Sequence, residues 1–277
     1  DGSTVPAAYL TADEQEVTVE YNETAEVAFE NIEKTGEIKV TKTTVGNINV
    51  SGITFNLRGT SDSGRDIDIP AVTDENGVAI FSEIPIGTYT IYEDEKTVPT
   101  AYLVADPQNV TVTYAETKEV PIENKEKTGS ITVHKTTEGQ KNIEGIKFYL
   151  RGTSDSGRAI DIPATTDKDG IAKFVGVPIG TYMVIEDEET VPYGYLVADE
   201  KEVKVEYAQT IDETILNNEQ TGTVKVHKKT ADMTNVEGIR FILSGISDTG
   251  REIRIEATTD KDGLAKFEGV PVGTYTI

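Results

Sequence analysis

Glu37-Ile-Lys-Val-Thr-Lys42 alternates polar and apolar side chains, and Ile53-Thr-Phe-Asn-Leu57 and Tyr89-Thr-Ile-Tyr-Glu93 do the same. A period of two marks a half-buried strand, because successive side chains of an extended chain point to opposite faces. Val110-Thr-Val-Thr-Tyr114 and Val120-Pro-Ile-Glu-Asn124 continue the pattern. Turn signals stand between the runs at Ser63-Gly64, Glu75-Asn76-Gly77 and Ile86-Gly87. No stretch sustains a helical stripe. About seven short strands in so compact a span predict an all-β sandwich of immunoglobulin-like size.

The same pattern returns along the chain. Lys34-Thr-Gly36 recurs as Lys127-Thr-Gly129 and Gln220-Thr-Gly222, so the three glycines stand 93 residues apart. Arg58-Gly-Thr-Ser-Asp-Ser-Gly-Arg65 recurs at 151–158 and, degenerately, at Ser244–Arg251. Pro85-Ile-Gly-Thr-Tyr89 recurs at 178–182 and as Pro271-Val-Gly-Thr-Tyr275. The period exceeds the roughly 20–50 residues of a solenoid unit and suits a small whole domain. Residues 36–128 and 129–221 are read as complete repeats, 1–35 as the C-terminal part of one, and 222–277 as the N-terminal part of another. Asp1 aligns with Asp94 and Ile277 with Ile91. The expectation is a rod of tandem sandwiches, cut from a longer array of repeats. The alternative is a fibre in which 1–35 of one molecule completes 222–277 of another by strand donation.

Composition narrows the function. Among 277 residues, 49 are acidic and 26 basic, a net charge of −23, which argues against a nucleic-acid partner. No apolar run approaches the ~20 residues that span a bilayer. There is no cysteine for disulfide, thiolate or metal chemistry, and the opening Asp1-Gly-Ser-Thr-Val-Pro6 does not read as a signal peptide. The two histidines, His134 and His227, fall on the face opposite the apolar one and are expected to be exposed, with no metal role. Asp74-Glu-Asn-Gly77, Asp167-Lys-Asp-Gly170 and Asp260-Lys-Asp-Gly263 lack the further ligands of a calcium loop and read as hairpin turns. Ser61-Asp-Ser-Gly-Arg65 is likewise read as a turn.

Three polar positions break the apolar faces. Lys42 follows Ile38 and Val40 on one face, Glu93 follows Tyr89 and Ile91, and Asn124 follows Val120 and Ile122. Lys135, Glu186 and Asn217 are their counterparts in the next repeat; Lys228 and Asn31 are those of the partial pieces. Facing the core, such groups must satisfy one another, because an unpaired buried charge costs several kcal/mol. Desolvation lowers the pKa of a lysine and raises that of a carboxylic acid, so the pair can stand as neutral amine and acid. A neutral amine is a nucleophile. Its attack on the asparagine Cγ would leave an amide and release ammonia, with the glutamate carrying the proton and no cofactor needed.

These pieces resemble a known family. Gly36-Glu-Ile-Lys-Val-Thr-Lys42, Gly52-Ile-Thr-Phe-Asn-Leu57, Gly87-Thr-Tyr-Thr-Ile-Tyr-Glu93, Ile122-Glu-Asn124 and Val191-Pro-Tyr-Gly-Tyr195 are similar, in order, to the Cna B-type (SpaA-like, prealbumin-like) domains of Gram-positive surface adhesins and pilins. The resemblance covers the whole chain. It implies isopeptide bonds Lys42–Asn124 and Lys135–Asn217 between adjacent first and last strands, assisted by Glu93 and Glu186. Two departures stand out. Glu213 replaces the inward Val120, and Asn217 is followed by Asn218, the second candidate for that bond. Lys228 has no downstream asparagine here, and Asn31 no upstream lysine.

The leading expectation is an extracellular stalk or fibre segment of a cell-surface adhesin or pilus-like protein, not an enzyme. Its partners would be neighbouring repeats of the same or an adjacent chain, and a host surface or matrix. The rival is an adhesin module that binds host matrix through its loops; a transthyretin-like regulatory module ranks third. Near-identity of exposed loops between repeats suits spacing better than recognition.

Overall fold

The computed structural model describes residues 2–46, 48, 50–139, 143–232 and 236–277, which leaves Asp1 outside the described residues. The chain divides into two compact units, Asp1–Lys127 and Thr128–Ile277. In the first, β1 (Thr35–Thr44), β2 (Thr54–Ser61), β3 (Asp66–Val72), β4 (Val78–Pro85), β5 (Gly87–Glu93), β6 (Gln108–Val112) and β7 (Thr117–Asn124) make two sheets, ordered β4-β1-β7 and β3-β2-β5-β6. In the second, β8 (Thr128–Thr137), β9 (Lys147–Ser154), β10 (Ala159–Thr165), β11 (Ile171–Pro178), β12 (Gly180–Glu186), β13 (Lys201–Val205) and β14 (Thr210–Asn217) repeat this as β11-β8-β14 and β10-β9-β12-β13. The same unit continues with β15 (Thr221–His227), β16 (Arg240–Ser247), β17 (Glu252–Thr258), β18 (Leu264–Pro271) and β19 (Gly273–Thr276), paired as β15-β18 and β17-β16-β19.

Alternation along each strand builds the sandwich. Ile131 and Val133 of β8 and Phe174 of β11 come from one sheet. They meet Phe148 and Leu150 of β9 and Tyr182 and Val184 of β12 from the other, all fully buried in one cluster. Ile38, Val40, Phe81, Phe55, Leu57, Tyr89 and Ile91 occupy the same positions in the first unit. Each such side chain contributes roughly 1.5–3 kcal/mol by leaving water. Pro70 and Pro163 lie on β3 and β10, the sheet edges, where a missing backbone N–H breaks no ladder. A bulge in β4 turns Glu83 to φ 56, and Gly176 and Gly269 hold the same place in the later repeats at φ 67 and 63.

One pairing decides the chemistry. β1 and β7, the first and last strands of the repeat, run parallel, with Lys42 opposite Ile122 and Thr44 opposite Asn124. β8 and β14 do the same, with Lys135 opposite Ile215 and Thr137 opposite Asn217. Lysine and asparagine therefore sit two residues apart on adjoining strands, facing the same way.

Two strand expectations differ from the structure. The strand from Val110 stops at Val112, because Ala115 takes φ 60 and turns the chain towards β7. In residues 2–35 the repeat equivalent of β7, in which Val27, Phe29 and Asn31 correspond to Val120, Ile122 and Asn124, does not form a strand; Val27 and Phe29 are exposed and Asn31 is half-buried. Only a 3-10 turn at Gly2–Thr4 and an isolated Tyr9–Glu33 bridge are present there. Without an opposing sheet these residues have no apolar surface to cover, and an isolated hairpin is marginal in water.

Candidate functional site

Lys42 ends the apolar row of β1 and Asn124 ends β7, so both enter the core from one sheet, while Glu93 enters from β5 of the facing sheet. All three are buried. The Asn124 Nδ2 donates to Glu93 Oε2 at 2.6 Å, and the backbone N–H of Ala105 donates to the same oxygen at 2.7 Å. Lys42 Nζ lies 3.8 Å from Glu93 Oε1 and donates to the carbonyls of Thr43 (2.6 Å) and Ile122 (3.3 Å). Burial pulls the Lys42 pKa from 10.5 down to about 8, against the opposing pull of the Glu93 and Glu123 carboxylates. Glu93 Oε1 and the Asn124 Oδ1 are buried without a hydrogen-bond partner.

The second repeat rebuilds the site independently. Asn217 Nδ2 donates to Glu186 Oε2 (2.6 Å) and to the Leu196 carbonyl (2.6 Å), and Ala198 N–H donates to Glu186 Oε2 (2.8 Å). Lys135 Nζ stands 3.5 Å from Glu186 Oε1 and donates to the carbonyls of Thr136 and Ile215. Desolvation again lowers the lysine pKa, opposed by Glu186. Glu186 Oε1 and Asn217 Oδ1 are the same two unpartnered atoms.

Of the tandem asparagines, Asn217 is buried at the carboxyl, whereas Asn218 is exposed and offers its backbone carbonyl to Leu196. Glu213 stays partly buried and reaches Lys201 at 3.6 Å, at the sheet margin. Lys228 is half-buried, and among the described residues of 222–277 no strand pairs with the edge of β15 that corresponds to the β7 side of β1. Among the described residues neither Lys228 nor Asn31 is brought to a lysine–glutamate–asparagine set.

His134 is exposed beside Asp212 (3.1 Å), and His227 is exposed. Among the described residues no group of three or more histidines and carboxylates is placed to hold a metal. Asp74 closes its own hairpin, its Oδ1 accepting from the N–H groups of Asn76 and Val78, which hold its carboxyl below the usual range. The backbone donors of Ala105 and Ala198 are the part of the site that no side-chain pattern announces.

A family model described as the SpaA prealbumin-like fold domain matches residues 36–126, 129–220 and 222–277. Among solved structures, the Bacillus anthracis TIE protein is similar at 22% identity and a TM-score of 0.62, over 89% of this chain and 45% of that one. The chain thus spans less than half the length of that structure, and the likeness is one of fold. The minor pilin GBS52 of Streptococcus agalactiae aligns at 18% identity and a TM-score of 0.33, over 70% of this chain and 100% of its own. The shaft pilin SpaA of Lactobacillus rhamnosus GG aligns at 18% identity and 0.30, over 67% and 98%. No curated protein matches the chain. With three successive matches covering most of its length, the chain belongs to the SpaA family of prealbumin-like fold domains.

Proposed function

We propose that the repeats 36–128 and 129–221 each close an intramolecular Lys–Asn amide, and that the chain is a covalently stiffened stalk or shaft segment of a surface adhesin or pilus-like protein. The observation that carries this reading is the duplicated buried set: amine, carboxyl and amide in one buried site, each time with the amide nitrogen hydrogen-bonded to the carboxyl.

The chemistry follows from the two unpartnered atoms. Glu93 Oε1 and Glu186 Oε1 stand nearest the lysine nitrogens, where a carboxylate oxygen can take a proton from the attacking amine. The Nζ lone pair attacks Cγ of the asparagine, whose unpartnered Oδ1 takes up the negative charge. The carboxylate accepts the proton released from Nζ as the new C–N bond forms and passes it to Nδ2, the nitrogen already held against Oε2. The Cγ–Nδ2 bond breaks, ammonia leaves, and the new Nζ–Cγ amide remains. No electrons are exchanged and no cofactor takes part. Each site reacts once with itself, which is not enzymatic turnover.

Membership in the SpaA family of prealbumin-like fold domains supports placing the protein at an extracellular, cell-surface location, among neighbouring subunits. Among the described residues no helix is long and apolar enough to cross a membrane. Intact mass tests the reading: the purified chain should weigh two ammonias less than its sequence. Glu93→Ala and Glu186→Ala should each restore one. An uncondensed mass for the unaltered chain refutes the cross-link.

A further inference from the structure

A further carboxylate is buried two residues beyond Asn217, and the lysine–asparagine chemistry does not use it. Glu219 closes the repeat 129–221, and its side chain is 0% exposed. Its Oε1 accepts from the Thr249 hydroxyl and its Oε2 from the Arg251 guanidinium, both groups belonging to the following repeat. Arg251 also reaches Glu138 Oε1 at 3.4 Å, and Glu138 Oε2 accepts from the Glu219 N–H at 3.2 Å. The backbones join as well, Val272 N–H donating to the Gln220 carbonyl at 2.9 Å.

The first unit holds the same contact at its own junction. Glu33 accepts from the Ser63 hydroxyl and pairs with Arg65 at 3.0 Å, while Ile86 N–H donates to the Lys34 carbonyl at 2.9 Å. In both hairpins a serine two residues earlier positions the donating hydroxyl. Ser61 Oγ lies 2.7 Å from Ser63 Oγ and accepts from Arg65 N–H; Ser247 Oγ lies 2.7 Å from Thr249 Oγ1 and accepts from Arg251 N–H.

A turn alone accounts for Gly64 and Gly250, at φ 91 and 87, but not for a hydroxyl and an arginine aimed at another repeat's carboxylate. An exposed ion pair contributes little, whereas a buried carboxylate held by a charge-assisted donor and a hydroxyl fixes one geometry. We propose that the hairpins Ser61–Arg65 and Ser247–Arg251 are docking sockets for the repeat that precedes each, whose closing glutamate is the plug, and that the socket holds neighbouring repeats in one orientation. The inference is independent of the Lys–Asn bond, so the substitutions below should leave the mass deficit of the chain intact.

Hydrogen exchange on the full chain tests it. Val272 N–H reports the joint, and Asp248 N–H, bonded to the Val272 carbonyl at 2.9 Å within the following repeat, reports the socket's own fold. Arg251→Ala and Glu219→Gln, which alter opposite sides of the joint, should each speed exchange at Val272 at least tenfold and leave Asp248 unchanged. Unchanged protection at Val272 in both variants overturns the proposal. So does equal loss at Val272 and Asp248, which would make Arg251 a support of its own hairpin only.

Discussion

Lys42 carries an electrostatic burden, because it stands fully buried with its nearest carboxylate oxygen 3.8 Å away. Lowering its pKa from 10.5 to about 8 means that the fold disfavours the ammonium. Between pH 8 and 10.5 the unfolded chain binds more protons at this site than the folded one, so stability before condensation rises with pH across that window. Below pH 8 both states are protonated and the full penalty stands, on the order of 3 kcal/mol. The proposed amide would remove the charge and with it the penalty. The same shift sets the kinetics. About one lysine in ten is a free amine at pH 7, so condensation should quicken about tenfold from pH 6 to 7 and level off above 8. Chain made by cell-free synthesis, diluted into buffers of different pH and followed by intact mass, gives the rate. A rate indifferent to pH from 6 to 8 would mean that lysine deprotonation is not required.

The element that sets the register is the start of the first strand. A Cβ added to Gly36 of β1 would meet the Thr113 carbonyl oxygen at 2.3 Å and that of Glu116 at 2.9 Å, and Gly129 of β8 is hemmed in alike by Glu206 and Gln209. This close approach lets the β6–β7 turn tuck under β1, where Glu37 N–H and Ala115 N–H tie the two together. Gly222 of β15 has the same sequence context but nothing within 4 Å of an added Cβ. Gly36→Ala should therefore destabilise the first repeat by about 1–3 kcal/mol through forced backbone displacement. Gly222→Ala should leave the melting curve of the chain unchanged. Equal melting of the two variants, measured by calorimetry, would remove the steric account of this invariant spacing.

At the scale of the whole molecule the parallel pairing of first and last strands has a mechanical consequence. Tension on a repeat enters through β1 and leaves through β7, and a Lys42–Asn124 amide would carry it directly between them. The span of 82 residue steps from Lys42 to Asn124 would extend about 280 Å at ~3.4 Å each if released. Single-molecule pulling should show no step of that size from a cross-linked repeat, and Glu93→Ala should introduce one. Full-length steps from chains whose bonds have been verified by mass would show that the load bypasses the cross-link.

Periodicity alone carries the part of the architecture that side-chain order can encode. Alternation along Glu37–Lys42 and its 93-residue recurrence sufficed for strands, sandwich and repeats, because burial of one face selects every second side chain. The lysine, glutamate and asparagine were legible for the same reason, as polar residues at positions the alternation sends inward. Tertiary structure decided what depends on partners. It separated Asn217 from Asn218, since only the register of β14 on β8 turns one of them to Glu186. It supplied the Ala105 and Ala198 donors, which belong to the backbone and leave no mark in side-chain type. It left residues 10–31 without their expected strand, because a strand forms against a neighbour and a core, and neither adjoins them. It also turned a segment read as a simple hairpin, Ser61–Arg65, towards the carboxylate of Glu33, a contact between residues about thirty positions apart that no local pattern encodes.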